Sequence, residues 1–212
     1  MATVGDDLST HATVYSFSKP PSLSNVPTSI VNYPIHTTHI PPNGLQRGTS
    51  VRIDTNDARI LDTAWYQGRL LLTFNDACTP TGDVQTRSCI RLIQVNTSIG
   101  SLSQDFDVGA KGAYYFYPAL RMDSSSNLLV VFGASSLSIY PSIFATGKAA
   151  TGGPLDSSPL TLKIGTYPET TSRFGDYFGA AVDPSNPSIV WGAGEYHSSS
   201  LWSTFIATML RK

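Results

Sequence analysis

Residues 59–76 read Arg-Ile-Leu-Asp-Thr-Ala-Trp-Tyr-Gln-Gly-Arg-Leu-Leu-Leu-Thr-Phe-Asn-Asp. The stretch joins a segment of small and aromatic residues to a strongly apolar segment through the pair Gln67-Gly68. Glycine adopts the positive φ values that two-residue β-turns require, and aromatic and branched aliphatic residues favour strands. The stretch therefore predicts an antiparallel β-hairpin that turns at Gln67 and Gly68.

Two later segments follow the same plan, which predicts a repeat. Residues 114–136 and 173–196 each contain a strand of small or aromatic residues, a tight polar turn and a strongly apolar strand. The turns read Asp-Ser-Ser-Ser-Asn and Asp-Pro-Ser-Asn-Pro. Leu70, Leu128 and Ile189 occupy equivalent places, 58 and 61 residues apart. This spacing is typical of the blades of a β-propeller.

Further strand candidates follow each hairpin, so that a full repeat has four strands. They span residues 89–97, 104–108, 138–146, 160–165 and 201–210. Four-stranded repeats of about 60 residues with short turns predict an all-β fold and favour a β-propeller. A β-sandwich is the alternative, because it suits the same length without requiring three copies of one hairpin.

The repeats predict one domain with unfinished ends. Within residues 1–58, the stretches 11–18 and 29–35 resemble the outer strands of an incomplete blade that lacks its inner hairpin. Three blades follow, at about 59–113, 114–172 and 173–212. Proteins avoid unpaired strand edges, so we expect other polypeptide to complete the propeller. That partner is either a second copy of the chain or the N-terminal remainder of a longer one.

Composition supports the all-β class and excludes several functions. The chain of 212 residues has only two Glu and five Lys, against 27 Ser, 22 Thr and ten Tyr, which disfavours helices. Fourteen basic and fifteen acidic residues give a formal net charge of −1, so we expect no nucleic-acid partner. The longest apolar runs are far shorter than the roughly 20 residues that span a bilayer, so we expect no membrane insertion.

The two cysteines indicate a disulfide. Cys78 and Cys89 enclose a turn-rich stretch between two apolar runs, so they can link the two strands of a hairpin. Such a bridge stabilises by about 2–3 kcal/mol and requires an oxidising compartment. The alternative is two unrelated thiols. We expect an extracellular or cell-surface location, although residues 1–11 lack the charged-then-apolar order of a signal peptide.

Pairing rules bring polar residues together at one end of the hairpins. Residues opposite one another in an antiparallel hairpin have numbers with a constant sum, and pairing Val182 with Ile189 places Asp176 opposite Glu195. The same construction places Arg59 opposite Asp76 in the first repeat. In the second, pairing Met122 with Leu128 places Tyr114 opposite Ser136. The candidate binding residues are Arg59, Asp76 and Tyr114 from these pairs, together with Arg173, the nearest residue that can neutralise the opposed carboxylates.

Opposed carboxylates at Asp176 and Glu195 admit three interpretations. In the first they are structural: Asp176 caps a tight bend and Glu195 pairs with Arg173, which neutralises the repulsion. In the second they bind a hard cation such as Ca²⁺, and the sequence predicts no other cofactor. In the third they catalyse glycoside cleavage, assisted by Tyr177 and His197. The residues leave open whether the protein is an enzyme and favour a non-catalytic role.

A set of motifs runs through the sequence in a fixed order. They comprise residues 54–70, 115–123, 140–142, 172–184 and 195–196. Together they resemble the closing blades of secreted microbial β-propeller repeat proteins, in which an Arg-aromatic-Gly-Asp-Tyr motif and a later Glu-Tyr mark the last blade. Here Phe174 stands where that family usually has Trp, and the early blades are missing. The resemblance implies a propeller within a multidomain surface or extracellular protein.

These observations predict an extracellular propeller module that binds a glycan or a protein, or that acts as a scaffold in a larger assembly. The alternative is a glycoside hydrolase or lyase that uses Asp176 and Glu195.

Overall fold

A computed structural model describes residues 1–17, 27–150, 155–156 and 158–211, and its described part confirms the all-β class. Sheet 1 contains β1 (Ala2–Val4), β2 (His11–Ser16) and β3 (Ser29–Pro34). Sheet 2 contains β4 (Asp62–Tyr66), β5 (Arg69–Cys78), β6 (Arg87–Asn96) and β7 (Ser101–Val108). Sheet 3 contains β8 (Ala113–Met122), β9 (Leu128–Ser136), β10 (Ile139–Lys148) and β11 (Leu160–Lys163). Sheet 4 contains β12 (Gly179–Val182), β13 (Val190–His197) and β14 (Trp202–Met209). Within every sheet, strands that are consecutive in the chain pair antiparallel.

The first predicted hairpin has the expected register. Tyr66 pairs with Arg69, and the intervening Gln67 and Gly68 both have positive φ values, 48° and 77°. Such a turn matches the right-handed twist of the two strands it joins. Local sequence therefore sets both the position of this hairpin and its pairing.

The second hairpin contains a β-bulge that the pairing rule did not predict. Met122 pairs with Leu128 as expected, but the register shifts between Phe116 and Ala119. Tyr117 takes a left-handed φ of 54° at this point. The extra residue places Tyr114 opposite Ser135, which corrects the expected pairing with Ser136.

The third hairpin differs from expectation by one residue. Val182 pairs with Val190 and not with Ile189. The Asp183 N–H donates to the Ile189 carbonyl at 2.9 Å, which makes Ile189 part of the turn. The Asp183 carboxylate also accepts N–H bonds within the turn, from Ser185 at 2.7 Å and Asn186 at 3.0 Å. A one-residue shift exchanges the two faces of a strand, so this turn decides which residues of β13 face the core.

The N-terminal segment has more structure than the sequence indicated. The stretch expected to lack an inner hairpin begins with β1, whose Val4 pairs with Ala12 of β2. In β1, Ala2 is half-buried and Val4 is buried, while Thr3 between them is exposed, and Ala12, the partner of Val4, is buried as well. This alternation explains why so short a segment forms a strand.

The four sheets pack face to face in chain order. Separate apolar clusters join sheet 1 to sheet 2, sheet 2 to sheet 3, and sheet 3 to sheet 4. Among the described residues, no apolar cluster joins sheet 1 to sheet 4. A series of four sheets differs from the two-layer arrangement of the β-sandwich alternative.

The segment between β3 and β4 crosses the ends of several sheets. It contains a short bridge between Gly44 and Ile53, and the Leu45 carbonyl accepts a hydrogen bond from Ser135 of sheet 3 at 2.8 Å. Ile53 is fully buried in a cluster with Phe116 and Phe174. The segment therefore links sheet 3 to the loop that precedes β12, where the candidate site lies.

Candidate functional site

Two loops meet at the starting ends of β4 and β12. The Asp54 N–H donates to the Ser172 carbonyl at 3.1 Å, which joins the loop before β4 to the loop before β12. These loops carry four of the predicted site residues, which we call the loop patch: Arg59, Arg173, Asp176 and Tyr177.

Each arginine of the loop patch has its own carboxylate. Arg59 Nη2 lies 2.6 Å from Asp57, and Arg173 Nη2 lies 3.2 Å from Asp176. Both arginine side chains are about 70% exposed, at 68% and 72%. Burial acts to raise the pKa of Asp57, but hydrogen bonds from Arg59 lower it overall. The two pairs thus present donors and acceptors with little net charge.

Tyr177 is the exposed aromatic residue of the loop patch. It is 74% exposed, whereas Phe174 of the same loop is 2% exposed and packs into the core. The same loop forms a small surface pocket of about 130 Å³, which is lined by Arg173, Phe174, Gly175 and Asp176. An exposed tyrosine ring next to fixed polar groups can stack on an apolar surface while its neighbours form hydrogen bonds.

Tyr117 supports the loop patch from below. Its hydroxyl donates to the Asp54 carbonyl at 2.7 Å, and its N–H donates to the Asn75 side chain at 2.7 Å. Burial raises the pKa of Tyr117, and the negative charges of Asp176 and Asp54 raise it further. The tyrosine therefore stays protonated and holds the loop before β4 in place.

Asp176 and Glu195 have different partners, which corrects the expectation that they face each other. β12 begins only at Gly179, so Asp176 lies in the loop and turns towards Arg173. Glu195 does not pair with Arg173; its Oε2 accepts the Gly175 N–H at 3.1 Å. A Cβ at position 175 would lie 2.6 Å from that oxygen, so only glycine allows this approach.

Glu195 instead belongs to a buried cluster around His197. His197 Nε2 lies 3.3 Å from Glu195 Oε1 and 3.1 Å from Glu169 Oε2. The three side chains are 4%, 16% and 5% exposed, in the order His197, Glu195 and Glu169. Burial raises the pKa of Glu195. An ionised carboxylate only accepts hydrogen bonds, so a proton on His197 Nε2 would serve both glutamates.

Glu169 is the residue that sequence reasoning missed. It lies in a loop, and Gln46 fixes it: the Gln46 amide donates to the Glu169 carbonyl at 2.8 Å and accepts the Glu169 N–H at 2.8 Å. One signal was available in the composition. The chain has only two glutamates, and both lie against the same histidine.

The expected pair of Arg59 and Asp76 does not form. Arg59 precedes β4 and pairs with Asp57, whereas Asp76 is buried on β5 against Arg91 at 2.8 Å. Arg91 also contacts Asp105 at 2.6 Å and Asp107 at 3.3 Å. We call these four residues the Arg91 cluster. It joins β5, β6 and β7, and Asp76 also accepts the N–H of His39 at 2.7 Å.

Tyr114, the remaining candidate for binding, lies in the interior. It is 4% exposed, its hydroxyl accepts a hydrogen bond from Arg87 at 2.9 Å, and the Arg87 guanidinium lies 5.0 Å from its ring centre. The structure therefore gives Tyr114 a packing role and leaves it no surface for a ligand.

The predicted disulfide is present. Cys78 at the end of β5 is bonded to Cys89 of β6, with a Cα–Cα distance of 5.8 Å. It closes the loop at the end of the β5–β6 hairpin. This bond confirms the pairing inferred from the two cysteines.

A larger cavity lies away from all predicted site residues. It measures about 290 Å³ and lies between the outer strands of sheets 3 and 4, lined by Leu129, Leu162 and Met209 among others. Within the part of the chain that the structure describes, no group of three or more His, Cys, Asp or Glu side chains is arranged to hold a metal ion.

Comparisons with family models, with curated proteins and with solved structures found no match to the chain. Among the described residues there is no helix of the length and apolarity needed to cross a membrane.

Proposed function

We propose that the protein is a non-catalytic, extracellular module of β-propeller type that binds a neutral glycan at the loop patch. The observation that carries this proposal is the exposed Tyr177 ring in a loop patch that also carries two exposed arginine–aspartate pairs.

The serial packing of the sheets supports the propeller part of the proposal. Sheets 2, 3 and 4 repeat one plan in which the first strands, β4, β8 and β12, begin the sheets and lie side by side. In a propeller these first strands surround the axis, and the loops before them form one face of the ring. The loop patch lies at that face, and other polypeptide completes the ring beyond sheets 1 and 4.

The chemistry of the loop patch favours a neutral sugar. Tyrosine stacks on the apolar C–H face of a sugar ring. Arg173 and Asp176 supply a donor and an acceptor for hydroxyl groups, and their charges cancel. A strongly anionic ligand would have to compete with Asp57 and Asp176 for the two guanidinium groups.

The burial of Glu195 favours binding over glycoside cleavage. A hydrolase needs two carboxyl groups on either side of the bond that breaks. Both oxygens of Glu195 already have partners, Gly175 and His197, and the side chain is only 16% exposed. Glu195 therefore acts as a support for the bend at Gly175.

The disulfide supports an extracellular location, because such bonds persist in oxidising compartments.

The test is binding of the purified protein to a panel of neutral and acidic polysaccharides, measured by affinity electrophoresis and calorimetry. We expect a neutral polysaccharide to bind, and Tyr177→Ala to weaken that binding by about tenfold or more, the loss of roughly 1.4 kcal/mol. Trp65→Ala is the control, because Trp65 is 63% exposed but lies at the other end of β4. Equal binding by wild type and Tyr177→Ala, or no binding to any neutral polysaccharide, would refute the proposal.

A further inference from the structure

The buried cluster around His197 holds the bend in the loop before β12. We call His197, Glu169 and Glu195 the His197 cluster. Glu195 Oε2 accepts the Gly175 N–H at 3.1 Å, and the Phe174 ring packs on the imidazole with the ring centres 5.8 Å apart. Three residues of the loop patch lie in the same loop, namely Arg173, Asp176 and Tyr177. A change in the His197 cluster therefore reaches the loop patch through two direct contacts.

The polar contacts of the imidazole ring are made by one of its two nitrogens. His197 Nε2 lies 3.1 Å from Glu169 and 3.3 Å from Glu195, whereas Nδ1 is buried and has no hydrogen-bond partner among the described residues. The His197 carbonyl accepts the N–H groups of Thr166 at 2.7 Å and Tyr167 at 3.2 Å, which fixes the backbone at this point. The charge of the ring is therefore set by the two glutamates that contact it.

The imidazole is the group that must balance both carboxylates. In the part of the chain that the structure describes, no lysine or arginine forms an ion pair with Glu169 or Glu195. The charged and titratable side chains on the elements around the cluster have other neighbours, which are Asp176 for Arg173, Tyr140 for Arg47, Tyr196 for Lys163 and Asp54 for Tyr117.

The His197 cluster is most stable with one shared proton beyond that of the neutral ring. When both glutamates are ionised and the imidazole is neutral, two negative charges are buried together, with an oxygen of each within 3.3 Å of the same nitrogen. Burial raises the pKa of Glu195, and repulsion from Glu169 adds to the rise. One further proton, on the imidazole or on a carboxyl group, halves the buried charge. Because the folded pKa lies above the unfolded value, this stabilisation is present at low pH and is lost as the pH rises through the folded pKa.

Glu195 is the member of the cluster that can move when the proton is lost. Glu169 is fixed, since its Oε1 accepts hydrogen bonds from the N–H and the hydroxyl of Thr171 and its backbone is bonded to Gln46. The Glu195 side chain is 16% exposed, against 5% for Glu169, so it lies nearer to water. Ionisation strengthens its bond with the Gly175 N–H, but this gain is smaller than the repulsion between two buried charges. Turning towards solvent relieves the repulsion and breaks the bond that holds the bend.

We infer that the His197 cluster is a pH-sensitive switch, which holds the bend at Gly175 while it carries the shared proton and releases the bend when that proton is lost. The inference goes beyond the proposed glycan site and does not depend on it. The loop before β12 is expected to be closed at mildly acidic pH and open at alkaline pH.

The composition allows the cluster to be measured selectively. The chain has only two glutamates, and both belong to the His197 cluster. NMR of protein labelled with carbon-13 at the glutamate side-chain carboxyl therefore follows the cluster directly. We expect both signals to shift in one common step between roughly pH 5 and roughly pH 9, above the ordinary range of glutamate. The hydrogen-exchange protection of residues 172–178, corrected for the intrinsic effect of pH, should fall at least about tenfold across the same step.

Two variants separate the switch from other effects of pH. Glu169→Gln removes the repelling charge, so the loop should stay protected over the whole pH range. Asp176→Asn is the matched control in the same loop, because the Asp176 carboxylate pairs with Arg173 outside the cluster, and it should leave the step unchanged.

The wild-type measurements decide the inference even if a variant fails to fold. Glutamate signals that titrate only in the ordinary range, or loop protection that does not follow their step, would overturn the inference. So would a step in loop protection that persists in Glu169→Gln or disappears in Asp176→Asn. All measurements are made without glycan, and Tyr177→Ala should keep the step, so failure of the glycan proposal is distinguishable.

Discussion

Replacement of Asp107 by asparagine is expected to stabilise the protein at neutral pH. In the Arg91 cluster three carboxylates share one buried guanidinium, and Asp107 is its most distant partner, at 3.3 Å. Burial raises the pKa of Asp107 to about 6, since the attraction of Arg91 does not offset desolvation and repulsion from Asp76 and Asp105. The ionised form therefore costs free energy in the folded protein.

The size of the effect follows from the pKa. A rise in the pKa of Asp107 from 3.8 to about 6 means that folding favours its protonated form over its ionised form by about 3 kcal/mol. The Asp107 side chain is 25% exposed, and water screens part of this energy, which leaves about 2 kcal/mol. For a protein of this length that is a rise in Tm of about 4–8 °C.

The effect depends on pH in a defined direction. Because the folded pKa lies above the unfolded value, the folded state holds the proton more tightly. The stabilisation by this proton is complete below about pH 4 and is lost as the pH rises through about 6. Asparagine carries no charge at any pH. The gain in free energy of unfolding of Asp107→Asn over wild type should therefore be small at pH 4 and reach its maximum above pH 7.

The assay is the free energy of unfolding of both proteins in urea at several pH values between 4 and 8. Asp105→Asn is the matched control in the same cluster. Asp105 accepts a hydrogen bond from Arg91 at 2.6 Å and the N–H of His36 at 2.7 Å. In Asp105→Asn an amide nitrogen would face one of these donors, so the free energy of unfolding should fall by about 1.5–3 kcal/mol. An Asp107→Asn protein that is less stable than wild type at pH 7.5, or a difference that does not change with pH, would refute the reasoning.

Two further predictions concern the disulfide and the bend at Gly175. Replacement of Cys78 and Cys89 together by serine should lower the free energy of unfolding in urea by about 2–3 kcal/mol, and a loss below about 0.5 kcal/mol would contradict the loop-entropy argument. Glu195→Gln should lower the free energy of unfolding by about 1–3 kcal/mol, because an amide cannot accept hydrogen bonds from both Gly175 and His197. Asp176→Asn should change it by less than about 0.5 kcal/mol, since the ion pair of Asp176 with Arg173 is exposed. Thermal melts of Glu195→Gln and Asp176→Asn measure this difference in stability. Equal falls in Tm for the two variants would contradict it and show that the two carboxylates act together.

Features that depend on neighbouring residues could be predicted from the sequence. The turn at Gln67 and Gly68 is set by the positive φ that glycine accepts, and the alternation of apolar residues located the strands that follow it. The disulfide could also be inferred, because Cys78 and Cys89 flank the turn of one hairpin. The loop-patch residues were identified individually: Arg59 and Asp176 through the pairing rule, Arg173 as a neutralising partner, and Tyr177 as a neighbour of Asp176.

Features that depend on contacts between distant segments were decided by the tertiary structure. The bulge at Tyr117 depends on Asn75 and Asp54, which the fold brings to it from 42 and 63 residues away. Glu169 contacts His197 from a loop whose backbone is held by Gln46, 123 residues earlier in the chain. Constant-sum pairing assumes an unbroken ladder, so a bulge or a longer turn shifts every pair beyond it. Local propensity fixes where strands begin and turn, whereas packing between sheets fixes register and decides which charged groups meet.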